Sequence, residues 1–286
     1  MSDGNVFSLI NLDGASDVVI KLLDMVGKAV GWTVIPKKAK ANFEEGLSIY
    51  IESIKSDNTL CGIEKGAKIS TARKELKQYI NQGKIISYAV NDINEEAKME
   101  IDDDWLMYFF EYAKNISNDD VQKIWGRLLS MKINGEKGVS KKLLNALSLI
   151  EPEDVELFCT LCSLTFINID DPRRIYPFIY IKNAKYYQKY NIARYKLAQL
   201  DNLGLIEYDS SKEFVLAEKV PVLRYGSDII LLNADKRIPY GNVRFTDIGG
   251  VLYGITSIDI KDDFIKNCKR VWRHKEIGFI INSDFN

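Results

Sequence analysis

The feature that most constrains the fold is a change of hydrophobic pattern near residue 170. Before it, apolar residues recur at helical spacing, and the segments from 84 to 166 predict a compact helical array with short connections. After it, short alternating apolar runs and one further helix predict strands. The chain is therefore predicted to be α+β, with an N-terminal helical array and a mixed C-terminal domain. The predicted boundaries are 1–36 for an amphipathic leader helix, 37–170 for the helical domain and 171–286 for the C-terminal domain.

The composition excludes several classes of protein. The 286 residues carry 39 Lys and Arg against 40 Asp and Glu, so a nucleic-acid binder that is basic throughout is excluded, although a local basic patch is not. The single His excludes a multi-histidine metal site. Four Cys in a chain of this length indicate reduced thiols, and the first residues lack the basic start of a secretory signal. We therefore expect a cytoplasmic protein.

The sequence of the leader predicts an amphipathic helix, and its apolar side has two interpretations. Lys21, Asp24 and Lys28 interrupt the apolar stretch from 18 to 35 at helical spacing, which argues against a transmembrane helix. The opposite side carries an apolar stripe and a tryptophan: Val18, Leu22, Val26, Val30 and Trp32. Such a stripe favours packing on the rest of the protein or on a second copy. The alternative is contact with a membrane surface, which would make the protein peripheral at the inner membrane.

No group of residues predicts catalysis. Cys159 and Cys162 lie in an apolar helix without the second pair that a zinc site needs, so they are predicted to be small buried thiols. Cys268 and His274 are close in sequence, but the pattern does not indicate a dyad. The acidic run from Asp102 to Asp104 opens a helix, where carboxylates favour the positive end of the dipole, and it is interpreted as a cap. We expect no cofactor, no metal ion and no small-molecule substrate.

The segment LAQLDNLGLIEYD, followed by FVLAE, predicts a helix, a turn at Gly204 and a β-hairpin. This succession resembles the closing part of a winged-helix module, so the C-terminal domain is predicted to be winged-helix-like. The resemblance implies a DNA-binding alternative, because basic residues among tyrosines suit phosphate contact and stacking. These residues are Lys182, Lys185, Lys189, Arg194 and Lys196. A solvated face used for protein contact is favoured over it, since the chain as a whole is not basic.

Three stretches that cover about residues 10–165 carry a resemblance. They read KLLDMVGKAVGWTVIPKKAKA, DDDWLMYFFEYAKNISNDDVQKIWGRLLSMKING and GVSKKLLNALSLIEPEDVELFCTLCSL. Together they resemble a family known as domain of unknown function 2806. The matching positions include Trp105, Gln122, Trp125 and Ser140, for which packing is the first interpretation and a ligand role the alternative. The family has no established activity. The leader also resembles that of bacterial abortive-infection alpha-type proteins, which implies phage defence as a context.

The leading hypothesis is a non-enzymatic interaction protein of a bacterial phage-defence system of the abortive-infection kind. It would bind a protein partner or a second copy, with the leader serving assembly or membrane contact, and it predicts a folded core without residues 1–36. One alternative is a winged-helix regulator that binds DNA. Another is an enzyme whose site is assembled from distant segments, which has the least support because no catalytic motif is present.

Overall fold

A computed structural model describes residues 16–34, 43–97 and 101–282. The chain divides into an N-terminal unit, Met1–Leu144, and a C-terminal unit, Asn145–Asn286. The helices are α1 (Asp17–Val30), α2 (Phe43–Ser56), α3 (Gly62–Val90), α4 (Asp103–Ala113), α5 (Asp119–Ile133), α6 (Lys141–Ser148), α7 (Pro152–Cys162), α8 (Ala184–Gln188), α9 (Arg194–Asn202), α10 (Asp247–Ile255) and α11 (Phe264–His274). The strands are β1 (Thr165–Asn168), β2 (Ile175–Pro177), β3 (Ile206–Tyr208), β4 (Phe214–Val215), β5 (Val222–Tyr225), β6 (Asp228–Asn233), β7 (Pro239–Gly241), β8 (Val243–Phe245) and β9 (Gly278–Ile281).

The described fold is α+β, as the hydrophobic pattern predicts, with helices first and antiparallel strands later. The division between the units lies near residue 144, whereas the pattern places it near residue 170. The reason is that α7 packs with the C-terminal elements. The ring of Phe158 meets that of Phe245 edge to face at 5.7 Å, and the Gln199 side chain donates a hydrogen bond to Asp154. These contacts join α7 to residues far along the chain.

For the stretch before α4, the sequence pattern predicts one helix capped by Ser70 or Thr71 and a further helix over residues 84–94. The structure instead has a single helix of 29 residues, α3, and Ser70 and Thr71 lie inside it because it already begins at Gly62. The Glu64 side chain accepts a hydrogen bond from the backbone N–H of Cys61 (2.9 Å), which satisfies a donor at the N-terminus of α3. This capping box therefore places the start of α3 at Gly62, well before Ser70.

The core of the N-terminal unit forms where α4 and α5 pack and where α5 crosses α3. The Phe109 ring lies 5.1 Å from the rings of Trp105 and Trp125, and all three side chains are buried. A Cβ at Gly126 would lie 2.5 Å from the Tyr88 Cβ, so glycine is what allows α5 to approach α3 this closely. Aromatic burial and one glycine thus set the helix packing.

The C-terminal unit is built on an antiparallel sheet of five strands in the order β2-β1-β5-β6-β9. β2 lies at one edge, as Pro177 predicts for it, and β9 lies at the other. Helix α11 covers the inner face of this sheet. The Phe166 ring lies 5.4 Å from Phe264 and 6.0 Å from Trp272, both on α11. The result is a two-layer arrangement of sheet and helix.

The hairpin predicted around Asp209 does not form. β3 pairs with β8 and β4 pairs with β7, so β3 and β4 run in succession along residues 239–245 and not along each other. The buried side chain of Asn242 explains the arrangement. Its Nδ2 donates to the carbonyls of Asp209 (3.0 Å) and Lys212 (3.1 Å), and its Oδ1 accepts from the N–H of Ile181 (3.0 Å). This long-range amide stabilises a loop where the local pattern predicts a turn.

Helix α10 approaches the start of β3 through Gly249. The Thr246 hydroxyl donates to the Gly204 carbonyl (2.6 Å) and accepts from the Gly249 N–H (3.1 Å), which caps α10. A Cβ at Gly249 would lie 1.9 Å from the carbonyl oxygen of Leu205, whereas a Cβ at Gly250 would meet nothing within 4 Å. The two neighbouring glycines therefore have different roles.

We expect Gly249→Ala to destabilise the C-terminal unit by about 3 kcal/mol, because the added methyl group must displace backbone. Gly250→Ala, in the same helix, is the matched control and should be neutral or stabilising by up to about 1 kcal/mol. Urea unfolding followed by circular dichroism measures both changes. Equal stability of the two variants would contradict the close approach of α10 to β3.

Candidate functional site

The apolar stripe of α1 is buried within the N-terminal unit. Leu22 and Val26 are 0% exposed and Trp32 is 3% exposed, while Val18 and Val30 are half-buried. Helix α1 packs against α4. These side chains therefore contact the protein itself, and none of the three buried ones is available to a membrane surface in this conformation.

Trp32 anchors the segment that follows α1. Its indole N–H donates to the carbonyl of Tyr79 (3.1 Å), and the two rings stack with centroids 5.5 Å apart. The Tyr79 hydroxyl donates in turn to the carbonyl of Thr33 (2.6 Å). The basic residues of the leader at 37, 38 and 40 lie outside the described residues. Within the described ranges, no helix is both long and apolar enough to cross a membrane.

The four family positions have structural contacts. Gln122 is fully buried, and its Nε2 donates to the carbonyl of Ile116 (2.7 Å) and to the Oδ1 of Asn81 (3.2 Å). The Asn81 amide donates to the carbonyl of Lys114 (2.9 Å). These bonds fasten the connection between α4 and α5 onto α3. Trp105 and Trp125 belong to the aromatic core, and the Ser140 hydroxyl accepts from the N–H of Leu143 (3.3 Å) at the start of α6.

Three of the four thiols, those of Cys159, Cys162 and Cys268, are buried wholly or in part, and Cys61 is exposed. Burial raises the pKa of the Cys162 thiol well above its usual range, and burial does the same for Cys268. Both are therefore held in the protonated, poorly nucleophilic form. Cys159 is half-buried, and burial raises the pKa of its thiol as well. In the part of the chain that the structure describes, no three His, Cys, Asp or Glu residues are grouped to hold a metal ion.

The five basic residues predicted for nucleic-acid contact lie on a stretch without acids. Between residues 172 and 200 the chain carries basic residues and no Asp or Glu. Lys182 lies in a short 3₁₀ helix, Lys185 on α8, Lys189 just after α8, and Arg194 and Lys196 on α9. Lys196 is half-buried, and the other four are exposed. The structure thus distributes them over three short elements in succession.

Lys189 makes several contacts within the C-terminal unit. Its ammonium group forms an ion pair with Asp263 and lies over the rings of Tyr186 (4.3 Å) and Tyr190 (4.6 Å). The hydroxyls of both tyrosines donate to Asp263 as well. Partial burial acts to raise the pKa of the Asp263 carboxyl, but the hydrogen bonds from Lys189 and the tyrosines outweigh it and the pKa is lowered. This network joins α8 to the start of α11.

Helix α11 carries a basic row that the sequence reasoning missed. Its buried side is formed by Phe264, Asn267, Cys268, Val271 and Trp272. The basic residues recur at spacings of three and four on the opposite side: Lys266, Lys269, Arg270 and Arg273. The signal was present in the helical period of KNCKRVWRHK, and reading that period against the apolar residues would have found it.

The outer face of the five-stranded sheet is apolar and exposed. The pairing register aligns two rows of side chains across the strands. One row is Ile169, Val222, Leu231 and Ile280, and the other is Ile175, Ile167, Arg224 and Ile229. Ile280 is 51% exposed and Ile229 is 42% exposed. We call these two rows the outer sheet face, and contiguous apolar area of this kind marks interaction sites.

These observations define an α+β protein of two units, whose C-terminal unit carries an apolar surface on its sheet and a basic surface on α11. The family described as "Protein of unknown function (DUF2806)" matches residues 67–269, more than two thirds of the chain, so the protein belongs to that family. The match confirms the predicted family. It extends into the C-terminal unit and begins after α1 and α2, whereas the sequence resemblance covers about residues 10–165. No curated protein and no solved structure shows a significant match.

Because the stripe of α1 is buried, we expect the leader to contribute to the stability of the N-terminal unit. We expect Leu22→Ala to destabilise the N-terminal unit by about 3 kcal/mol, because it opens a cavity at a fully buried position. Ile20→Ala is the matched control, since Ile20 is half exposed on the same helix, and it should change stability by less than about 0.5 kcal/mol.

Thermal unfolding of the full chain, followed by tryptophan fluorescence, measures both variants. If α1 were a separable leader, as the sequence suggests, Leu22→Ala would leave the unfolding of the core unchanged. That result would contradict the packing of α1 against α4.

Proposed function

We propose that this protein is a non-enzymatic interaction protein that acts by self-assembly through the sheet of its C-terminal unit. The observation that carries the proposal is the combination of the exposed outer sheet face with edge strand β9. An open sheet edge presents unpaired backbone donors and acceptors, which pair readily with a further strand. Assembly along β9 would extend the apolar rows of one copy into those of the next.

The two edges of the sheet differ in a way that supports this role for β9. At the β2 edge, Pro177 removes a backbone donor, and Arg174, which pairs with Glu218, lies directly before the strand. Such features protect an edge against pairing. The stretch from Ile277 to Asn282 that contains β9 has no charged residue and no proline. The β2 edge is therefore protected against pairing with a further strand, whereas the β9 edge lacks these features.

A second copy of the same chain is the partner that fits this edge. Two β9 strands can pair antiparallel about a two-fold axis, and an uncharged strand meets its own copy without repulsion. The neighbouring strand β6 begins at Asp228 and is followed by a tip, residues 235–237, with two basic residues and one acidic residue. When two β9 strands pair antiparallel, the Asp228 end of β6 in one copy lies on the same side as the basic tip of the other copy. The end charges therefore favour this orientation.

The biological context we propose is bacterial phage defence of the abortive-infection kind. It rests on the resemblance of the leader to proteins of that type. In this proposal α1 contributes as a packed part of the N-terminal unit, because its stripe is buried there. The outer sheet face and β9 provide the assembling surface, and membrane contact is not required.

We expect the purified protein to self-associate in a concentration series measured by analytical ultracentrifugation. Ile280→Lys should weaken the association at least about tenfold, because it places a charge in the apolar row at the open edge. Ile63→Lys, at a position 85% exposed on α3, is the matched control and should assemble as the wild type does. Circular dichroism checks that both variants are folded.

A wild-type protein that stays monomeric over the series would overturn the proposed assembly, as would an Ile280→Lys variant that assembles normally. The context has its own readout in cells challenged with phage. Expression of the wild type should lower plaque formation, and Ile280→Lys should lose that protection while Ile63→Lys keeps it. Protection that survives Ile280→Lys would separate any defence role from assembly through β9.

A further inference from the structure

The basic row of α11 faces away from the sheet. The helix is held by Phe264 and Trp272, which are fully buried against the inner sheet face. Lys266, Arg270 and Arg273 therefore point to the side of the unit opposite the outer sheet face. From residue 266 to residue 273 the row extends about 10 Å, at a rise of about 1.5 Å per residue. A rigid helix keeps this spacing constant.

Two members of the row, Lys266 and Arg270, are not neutralised by any acid among the described residues. Among those residues neither side chain forms an ion pair, and both are exposed. Arg273 lies over the ring of Phe279 (5.6 Å) and keeps its charge. From 264 to 275 the sequence contains no Asp or Glu. Asp263, which directly precedes α11, already forms an ion pair with Lys189. It therefore does not offset the positive charge of Lys266 and Arg270.

The chemistry of the helix favours a nucleic acid over a membrane as the ligand. A helix that binds a lipid surface inserts apolar side chains between the lipids. Here every large apolar side chain of the buried side is committed to the core, including Phe264, Val271 and Trp272. A nucleic-acid duplex needs no insertion, because its phosphates lie on its surface. Laid along the duplex axis, a row of about 10 Å spans about three base-pair steps.

We propose that α11 binds the phosphate backbone of duplex nucleic acid through Lys266, Arg270 and Arg273. Lys185 is exposed on α8, the helix that the Lys189 network joins to the start of α11. Phosphate contacts of this kind give affinity without sequence specificity. The surface is independent of the outer sheet face, so assembly through β9 leaves it accessible.

The test uses the full chain and fluorescence anisotropy with a short labelled DNA duplex between about 50 and 200 mM salt. We expect salt-dependent binding of the wild type. The double variant Lys266→Ala with Arg270→Ala should bind at least about tenfold more weakly and should lower the salt slope by about 2, because two fewer phosphates are neutralised. Arg73→Ala with Lys74→Ala, which removes two exposed charges from α3, is the matched control and should bind as the wild type does.

The exchange Lys266→Arg with Arg270→Lys tests whether charge alone is needed, and it should keep the affinity. The proposal is overturned if the wild type does not bind the duplex at the lower salt concentration, or if the control pair weakens binding as much as the α11 pair. Two competitors test the other ligands. If vesicles of anionic phospholipid or an acidic polyglutamate displace the duplex at equal charge concentration, the row is a general anion surface and the proposal fails.

Discussion

The structure of the C-terminal unit depends on one aromatic cluster around Phe166. Its ring contacts Phe178 at 4.7 Å, Tyr225 at 5.2 Å, Phe264 at 5.4 Å and Trp272 at 6.0 Å. Burial of aromatic area on this scale is among the largest favourable terms in a small unit. The cluster fixes α11 on the inner face of the sheet. Because a two-layer unit has two outer sides, the same packing leaves the outer sheet face open on one side and turns the basic row of α11 outward on the other.

The N-terminal unit uses buried polar groups to position its helices. Gln122 and Asn81 satisfy the carbonyls of Ile116 and Lys114 in the connection between α4 and α5. The buried Trp32 satisfies its own indole N–H by donating to the carbonyl of Tyr79 on α3. An unpaired carbonyl in the interior costs roughly 1–3 kcal/mol, so these bonds stabilise one arrangement of the helices against others. Packing explains Trp105 and Trp125, and the Nε2 of Gln122 has its hydrogen-bond acceptors. Among the described residues, the Oε1 of Gln122 and the indole N–H groups of Trp105 and Trp125 are buried without a partner.

Much of the fold could be predicted, and the failures have a common cause. The stripe of α1, the acidic cap of α4 and the edge position of β2 follow from local patterns, and the structure contains all three. The hairpin prediction was wrong because the partners of β3 and β4 lie some thirty residues further along the chain. The availability of Lys189 for a ligand was overestimated for a similar reason, since Asp263, its partner, is 74 residues away. Of the candidate surfaces, the row on α11 was readable in advance, whereas the outer sheet face needed the strand register.

The α+β class and most of the helix faces follow from the order of the amino acids alone, because side-chain periodicity and capping act within a few residues. The tertiary structure decided which faces are covered. Whether the stripe of α1 meets a membrane or a neighbouring helix, and whether a strand pairs with its neighbour or with a distant strand, depends on contacts between residues far apart in the chain. Those contacts form only when the burial and hydrogen bonding they bring exceed the entropy cost of closing the loop between them, and no local pattern records that balance.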